Sequence, residues 1–357
     1  MFDGILLVNK PRGMTSRRAV DVVGRLVQPT KVGHAGTLDP LAEGLLVLCL
    51  GSATRLIEFV QQMPKCYDAQ FRLGCSSPTE DLEGEVTEIP AAPIPSADEL
   101  AAVLPRFRGP IEQRPSSYSA LKIGGRRACD LLRAGRTVEL PPRPVTIYQL
   151  EVVEYRYPDL RLLVECSRGT YVRALGRDVA AALGTAAVMT ALKRLRIGGF
   201  AIEAACDPTD LSRAKIAARI RPSREAVAHL PQWIADDISV TRLRQGQTVR
   251  CPAELIASLC TTGRQGRQPT GAAAPGQEPV PAGRWESCSE NNEESGVIAA
   301  GEGPAGIAPL AHGKSDALIV AVIDRHGRLA SLAVLQLPDR LVPLRNFPLA
   351  GGQGGVS

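Results

Sequence analysis

The feature that most constrains this chain is a polar, glycine-punctuated loop set directly against a wholly apolar run. Lys31-Val32-Gly33-His34-Ala35-Gly36-Thr37-Leu38-Asp39-Pro40-Leu41-Ala42-Glu43-Gly44 leads without a break into Leu45-Leu46-Val47-Leu48-Cys49-Leu50. The run is bounded by Gly44 and Gly51 and is short, so it reads as a buried strand. Gly33 and Gly36 let the backbone take positive φ and approach a ligand closely. A loop on the edge of a core strand is a usual seat for site residues. Asp-Pro is also a common helix start, with Asp as cap and Pro in the first turn. Here Gly44 follows too soon for a stable helix. Asp39 is therefore expected on a bent loop with its carboxylate free.

Around this centre, helical and strand periodicities alternate. Residues 4–9 read as a strand. Thr15 or Ser16 caps a helix with Ala19, Val22, Val23, Leu26 and Val27 at the 3.6-residue period, ended by Pro29. A helix is expected over 54–62, stopped by Pro64. Tyr67, Ala69, Phe71 and Leu73 alternate with polar residues in a half-buried strand. A polar turn, 74–84, leads to a strand over 85–89. Ser96 and Glu99 form a capping box that opens a helix through Leu104. Strands follow over 145–153 and 160–165. Thr170 is expected to cap a helix burying Val172, Leu175, Val179 and Leu183, with Gly184 closing it. Arg173 falls in that helix's first turn, where a cation is electrostatically unfavourable, so it needs a carboxylate or a ligand.

Residues 108–143 carry Arg114, Lys122, Arg126, Arg127, Arg133, Arg136 and Arg143, with Tyr118 and Leu121 interleaved. They read equally as a solvated Arg-rich hairpin or as an arm that grips phosphates. The net charge of +5 permits a nucleic-acid partner without requiring one. Beyond about residue 235 the character changes. Residues 241–247 read as the strand and turn that open a small β domain. Residues 262–314 are rich in Gly, Pro, Ala, Ser and Glu, lack apolar periodicity and are expected to be disordered. A hairpin then runs from 317–323 through Asp324-Arg325-His326-Gly327 to 329–335. Nine scattered Cys with no C-x-x-C pair, and four His, argue against a bound metal. They suit reduced thiols in a cytoplasmic protein. Nothing before the first strand reads as a signal peptide, and no apolar run is long enough to span a membrane.

Three separated segments, in order, resemble the bacterial TruB family of tRNA pseudouridine synthases. They are residues 4–16, from Gly4-Ile5-Leu6 through Lys10-Pro11-Arg12-Gly13-Met14-Thr15-Ser16; Gly33-His34-Ala35-Gly36-Thr37-Leu38-Asp39-Pro40; and Cys166-Ser167-Arg168-Gly169-Thr170-Tyr171-Val172-Arg173. Shorter matches are Lys65-Cys66-Tyr67, Tyr118-Ser119-Ala120-Leu121-Lys122 and Leu192-Lys193-Arg194. The resemblance implies an α+β pseudouridine-synthase fold with a mixed, largely antiparallel sheet over residues 1–235. A PUA-like β-barrel would follow over 236–350, interrupted at 262–314. It implies isomerisation of the T-loop uridine (position 55 of tRNA), with tRNA as partner and no cofactor, metal, membrane or obligatory protein partner. Asp39 resembles the nucleophile, Tyr67 the ring that stacks on the flipped base, and Arg173 the ion-pair partner of Asp39. Tyr171 and Leu192 resemble pocket walls, and His34 a residue that extrudes the base. Lys10, Lys122, Arg126 and Arg127 are expected RNA contacts, and 108–143 resembles an arm that closes over the T-loop.

The sequence departs from the family where Ser77-Pro78-Thr79 replaces an acidic residue between two threonines, followed by Glu80-Asp81. It departs again at Cys129, where an aromatic is common. Neither departure is expected to touch the nucleophile. A non-catalytic RNA-folding protein with the same pocket is a competing reading, but mere binding needs no buried carboxylate facing a polyanion. A guide-RNA-dependent relative is another; the absence of basic tails favours a stand-alone enzyme. Long surface insertions add little loop-closure entropy. Excision of residues 264–313 is therefore expected to leave pseudouridine formation on a T-arm hairpin near wild type, measured as product per enzyme per minute.

Overall fold

The apolar run lies in β3 (Glu43–Leu50), every residue of which is buried from Gly44 onward. This is a computed structural model, and it describes residues 1–119, 121–123, 126–134, 138, 140–257, 318–336 and 339–348. The 262–314 segment and the side chains of Lys122, Arg126, Arg127 and Arg133 lie outside what is described. The chain divides into two units, Met1–His229 and Leu230–Ser357.

In the first unit, β1 (Gly4–Lys10) pairs antiparallel along the whole of β3, from Gly4 opposite Leu50 to Lys10 opposite Gly44. Two strands share the other edge of β3. β2 (Val32–His34) pairs with its end, Val32 opposite Leu50. The strand Ala187–Ile197 joins its start in parallel, Arg194 opposite Gly44. The Asp39 loop emerges between them. Gly44 makes the junction possible: its φ is +102°, and a Cβ there would stand 2.4 Å from the Arg194 carbonyl oxygen. Beyond Ala187–Ile197 the sheet continues through β4 (Lys65–Leu73), Asp159–Cys166, Arg143–Arg156 and Gly109–Gln113. All these later pairings are antiparallel. The architecture is the mixed, largely antiparallel α+β sheet expected.

Helix α1 (Ser16–Val27) starts where the Thr15 side chain accepts from the Arg18 N–H. It packs Ala19, Val20, Val23 and Val27 into a cluster with Leu6, Val8, Leu46 and Leu48. The helix Val172–Ala182 buries Val172, Leu175 and Val179 with Phe71, Leu160 and Leu162. Its start differs from expectation. Tyr171, not Thr170, is the N-cap residue, and no side chain caps it. Thr170 Oγ1 instead donates to the Ser167 carbonyl, while the Tyr171 N–H donates to Gln113 Oε1 at 2.8 Å. An edge strand thus satisfies the helix start. Elsewhere, the capping box at Ser96 and Glu99 forms as read. The expected helix over 54–62 is a 3₁₀ turn followed by Ile57–Gln62, and the 85–89 strand shrinks to Thr87–Glu88.

The second unit holds a five-stranded sheet in the order Gln232–Ile234, Ile319–Ile323, Leu329–Gln336, Arg340–Asn346, Val249–Arg250. Its core includes Leu243, Val249, Val320, Val322, Ala333 and Leu341, and the arrangement is compatible with a PUA-like barrel. The hairpin turns where Asp324 accepts from the His326 and Arg328 N–H groups. The strand expected at 241–247 is a helix instead, Asp237–Arg244, capped by Asp236. Val240 and Leu243, three residues apart, supply its buried face. Among the described residues no helix is long and apolar enough to cross a membrane.

Gly176 sets how closely the Val172–Ala182 helix approaches the sheet, since a Cβ there would stand 2.0 Å from the Phe71 ring. Alanine normally favours a helix by about 1 kcal/mol over glycine. Gly176→Ala is nevertheless expected to destabilise the first unit by about 1–3 kcal/mol through overpacking. Urea unfolding of the full chain measures the sign directly.

Candidate active site

The Asp39 loop has no regular structure, so its backbone groups must find partners elsewhere. Ser16 Oγ accepts from the Leu38 N–H at 2.8 Å and donates to the Leu38 carbonyl at 3.0 Å. The Gly13 N–H donates to the Pro40 carbonyl at 2.7 Å. The Leu41 N–H donates to Glu83 Oε1. Arg194 Nη2 donates to the Gly36 carbonyl at 3.0 Å. Three separate segments, around residues 13–16, 83 and 194, therefore fix the loop backbone, and the Asp39 side chain is left partly exposed.

Arg173 is the group it meets. Arg173 Nη2 lies 3.2 Å from Asp39 Oδ2, and Nη1 lies 3.0 Å from Asp81 Oδ2. The same guanidinium donates to the carbonyls of Thr79 at 2.7 Å and Tyr118 at 3.1 Å. The side chains of Arg173 and Asp81 are 7% and 2% exposed, that of Asp39 44%. The buried Arg173–Asp81 pair is thus the closed end of the network and Asp39 its open end. One guanidinium faces two carboxylates, so Asp39 is oriented without being neutralised. Asp81 is held in turn by the Thr79 hydroxyl at 2.6 Å and the Glu83 N–H at 3.0 Å. The turn at Thr79–Asp81, expected to stand apart from the nucleophile, therefore anchors its partner.

Tyr67 and Leu192 lie in one apolar cluster with Leu38, Leu41 and Ala42, the flank of the Asp39 loop. Burial pushes the Tyr67 phenol above its ordinary range, opposed by the charge of nearby Arg194. Tyr171 sits at the N-cap of the Arg173 helix, and burial raises its phenol too. His34 is half-buried at the end of β2, with Nδ1 buried and lacking a hydrogen-bond partner. Burial first, then Arg194, holds the imidazole below its ordinary value. Lys10 departs from its expected role as an RNA contact. It is fully buried, and its Nζ donates to the carbonyls of Pro11 and Met14 at 3.0 and 2.5 Å. Desolvation lowers it to about 8 against the opposing pull of Asp39. It supports the turn before α1 and presents no ammonium to a phosphate.

Sequence reasoning passed over Asp81, Ser16 and Arg194. Arg194 is 1% exposed. It donates to the carbonyls of Leu45 and Gly36 and reaches Tyr67. Among the described residues it forms no ion pair. The available signal was its place two residues after Leu192 on the inward face of a strand, where an unpaired charge is costly. No group of three metal-ligating side chains is gathered among the described residues.

Residues 24–172 match the model of the TruB family pseudouridylate synthase N-terminal domain. The chain is 38% identical over 262 residues to tRNA pseudouridine synthase B of Bacillus licheniformis, covering 71% of this chain and 85% of that one. It is 40% identical over 267 residues to the protein of the same name from Geobacillus kaustophilus, covering 71% and 93%. In fold it is similar to a solved H/ACA ribonucleoprotein bound to a substrate RNA containing 2′-deoxyuridine. That likeness has a TM-score of 0.62 at 22% identity and covers 98% of this chain and 86% of the other. A Cbf5–Nop10–Gar1 complex gives a TM-score of 0.63, also at 22% identity, covering 97% of this chain and 84% of the other.

The Arg194 fork ties the Asp39 loop to β3 beside Tyr67, and a lysine cannot reproduce it. Arg194→Lys is expected to cost about 1–3 kcal/mol, the penalty of a buried polar group left unmet. Tyr67→Phe should cost less in the Arg194→Lys background than in wild type if the guanidinium and the neighbouring phenol are coupled. A double-mutant cycle by urea unfolding tests both; additive costs would show that the two are not coupled.

Proposed function

The chain belongs to the TruB family of pseudouridylate synthases, and from that we propose that it isomerises the T-loop uridine of tRNA to pseudouridine with Asp39 as the nucleophile. The relatives at about 40% identity are named for action on tRNA, which favours tRNA over a guide-directed target. The observation that carries the assignment of Asp39 is its position at the open end of the Asp39–Arg173–Asp81 network.

The reaction is redox-neutral. The C1′–N1 bond breaks, the uracil turns, and a C1′–C5 bond forms. C5 loses a proton and N1 gains one, so the product is an isomer of the substrate. Hydrolytic glycosidases need a second carboxylate to activate water. An isomerase must exclude water and retain the base, and one nucleophilic carboxylate suits it. Arg173 holds that carboxylate in place by an ion pair. The target base lies within folded RNA and must be unstacked before it can react. Tyr67 supplies the aromatic face that receives it, with Leu192 and Tyr171 as walls. His34, half-buried with an unmet Nδ1, is assigned the role of helping to extrude the base.

Helix Val172–Ala182 also holds the root of the basic arm. Gln113 exchanges two hydrogen bonds with the Tyr171 backbone, and Arg177 donates to the Arg114 carbonyl. Closure of the arm over RNA would thus start from a base fixed to the same helix as Arg173.

Asp39→Asn preserves side-chain size but removes charge and nucleophilicity. It also removes an anion from a pocket that admits a polyanion. Pseudouridine formation is expected to fall below detection while affinity for a T-arm hairpin holds or rises. Product analysis and RNA titration on the same preparations measure the two effects. Turnover by a verified Asp39→Asn protein would end the assignment of Asp39.

A further inference from the structure

Helix α1 borders a groove that no step above uses. Its volume is about 440 Å³, and it is lined along the helix by Arg17, Val20, Asp21, Gly24, Arg25 and Gln28 and across from it by Val32. Arg17, Asp21, Gly24 and Gln28 recur at intervals of three and four residues, with Val20 and Arg25 flanking them, so the lining follows one side of the helix. Arg17 and Arg25 are eight residues apart, about 12 Å along the axis. That distance exceeds one phosphate interval of a nucleic-acid strand.

Gly24 is the unexplained residue of this face. A Cβ there would meet nothing within 4 Å, and its backbone is ordinary helix. Neither packing nor backbone geometry calls for glycine, which is a poorer helix former than alanine. Its effect is to leave the helix backbone bare beside the groove, as close approach of a ligand requires. Val32 begins β2, which ends two residues later at His34. Arg17 lies near enough for its charge to help depress the His34 imidazole. The groove thus lies beside the strand that carries His34. Its single acid, Asp21, pairs with Arg17 at 2.8 Å on the surface. Such an exposed pair is weak and can give way to a phosphate.

We propose that the groove between α1 and β2 is a track for RNA backbone, holding the sugar-phosphate strand that leads away from the target uridine. Arg17 and Arg25 would meet phosphates, and a sugar would lie against Gly24. This rests on the reading of the substrate as RNA.

The test uses the full chain and an unmodified T-arm hairpin. Turnover by wild type reports on the reaction, and affinity of the variants reports on the groove, so the two ideas fail separately. Arg17→Ala combined with Arg25→Ala should weaken binding and lower the log–log salt slope by about 1.4–1.8, two contacts' worth. Asp21→Asn should tighten binding. Gly24→Gln adds bulk without charge in open space, so it should fold normally yet weaken binding about tenfold, which separates a local contact from a general field. Unchanged affinity of a folded Gly24→Gln protein, or an unchanged salt slope in the arginine double variant, would overturn the proposal.

Discussion

The structure depends on one buried guanidinium. Arg173 sits in the first turn of its helix, where the helix dipole opposes a cation. It is held there by Asp81, by the Thr79 and Tyr118 carbonyls and by Asp39. Removing either buried partner would leave the other as an uncompensated charge, which is strongly destabilising. The same group thus anchors the turn after β4, the root of the basic arm and the Asp39 loop. Asp81 lets Arg173 be buried without consuming Asp39. Structural and chemical demands are divided between two carboxylates that a single cation connects.

The neighbourhood of that network is rich in buried cations. Desolvation brings both Lys10 and Lys65 down to about 8, and Arg194 adds to the effect on each. Lys10 and Lys65 spend their donors on backbone carbonyls, as Arg194 does on Leu45 and Gly36. These groups brace loops, and their positive field also favours an anionic ligand in the pocket.

Much of this was legible in the sequence where one local rule decided the outcome. The apolar run bounded by glycines is β3, Thr15 caps α1, and Ser96 and Glu99 form their box. The demand that Arg173 find a carboxylate is met twice. What escaped was decided by tertiary contacts. Lys10 looks like a surface lysine beside a proline-glycine turn, and only its register opposite Gly44 explains its burial. Asp81 follows the very departure noted in the sequence, yet nothing local says that its turn folds back onto Arg173. The 237–244 helix was missed because a three-residue spacing of Val240 and Leu243 is weak evidence in so short a segment. The start of the Arg173 helix was misread because Gln113, far away in sequence, does the work assigned to Thr170.

The parallel strand Ala187–Ile197 has a consequence for biosynthesis. It fills the gap between β3 and β4, and its Arg194 reaches acceptors 149 and 158 residues earlier in the chain. Contacts of such long range form late and slowly. A nascent chain still lacking this strand exposes unpaired edges on both neighbours, each able to pair with another chain. The Asp39 loop also lacks its Gly36 tether until then. The growing polypeptide therefore passes through a long interval in which the sheet is open and the pocket unmade, and the seal arrives only when nearly all of the first unit has left the ribosome.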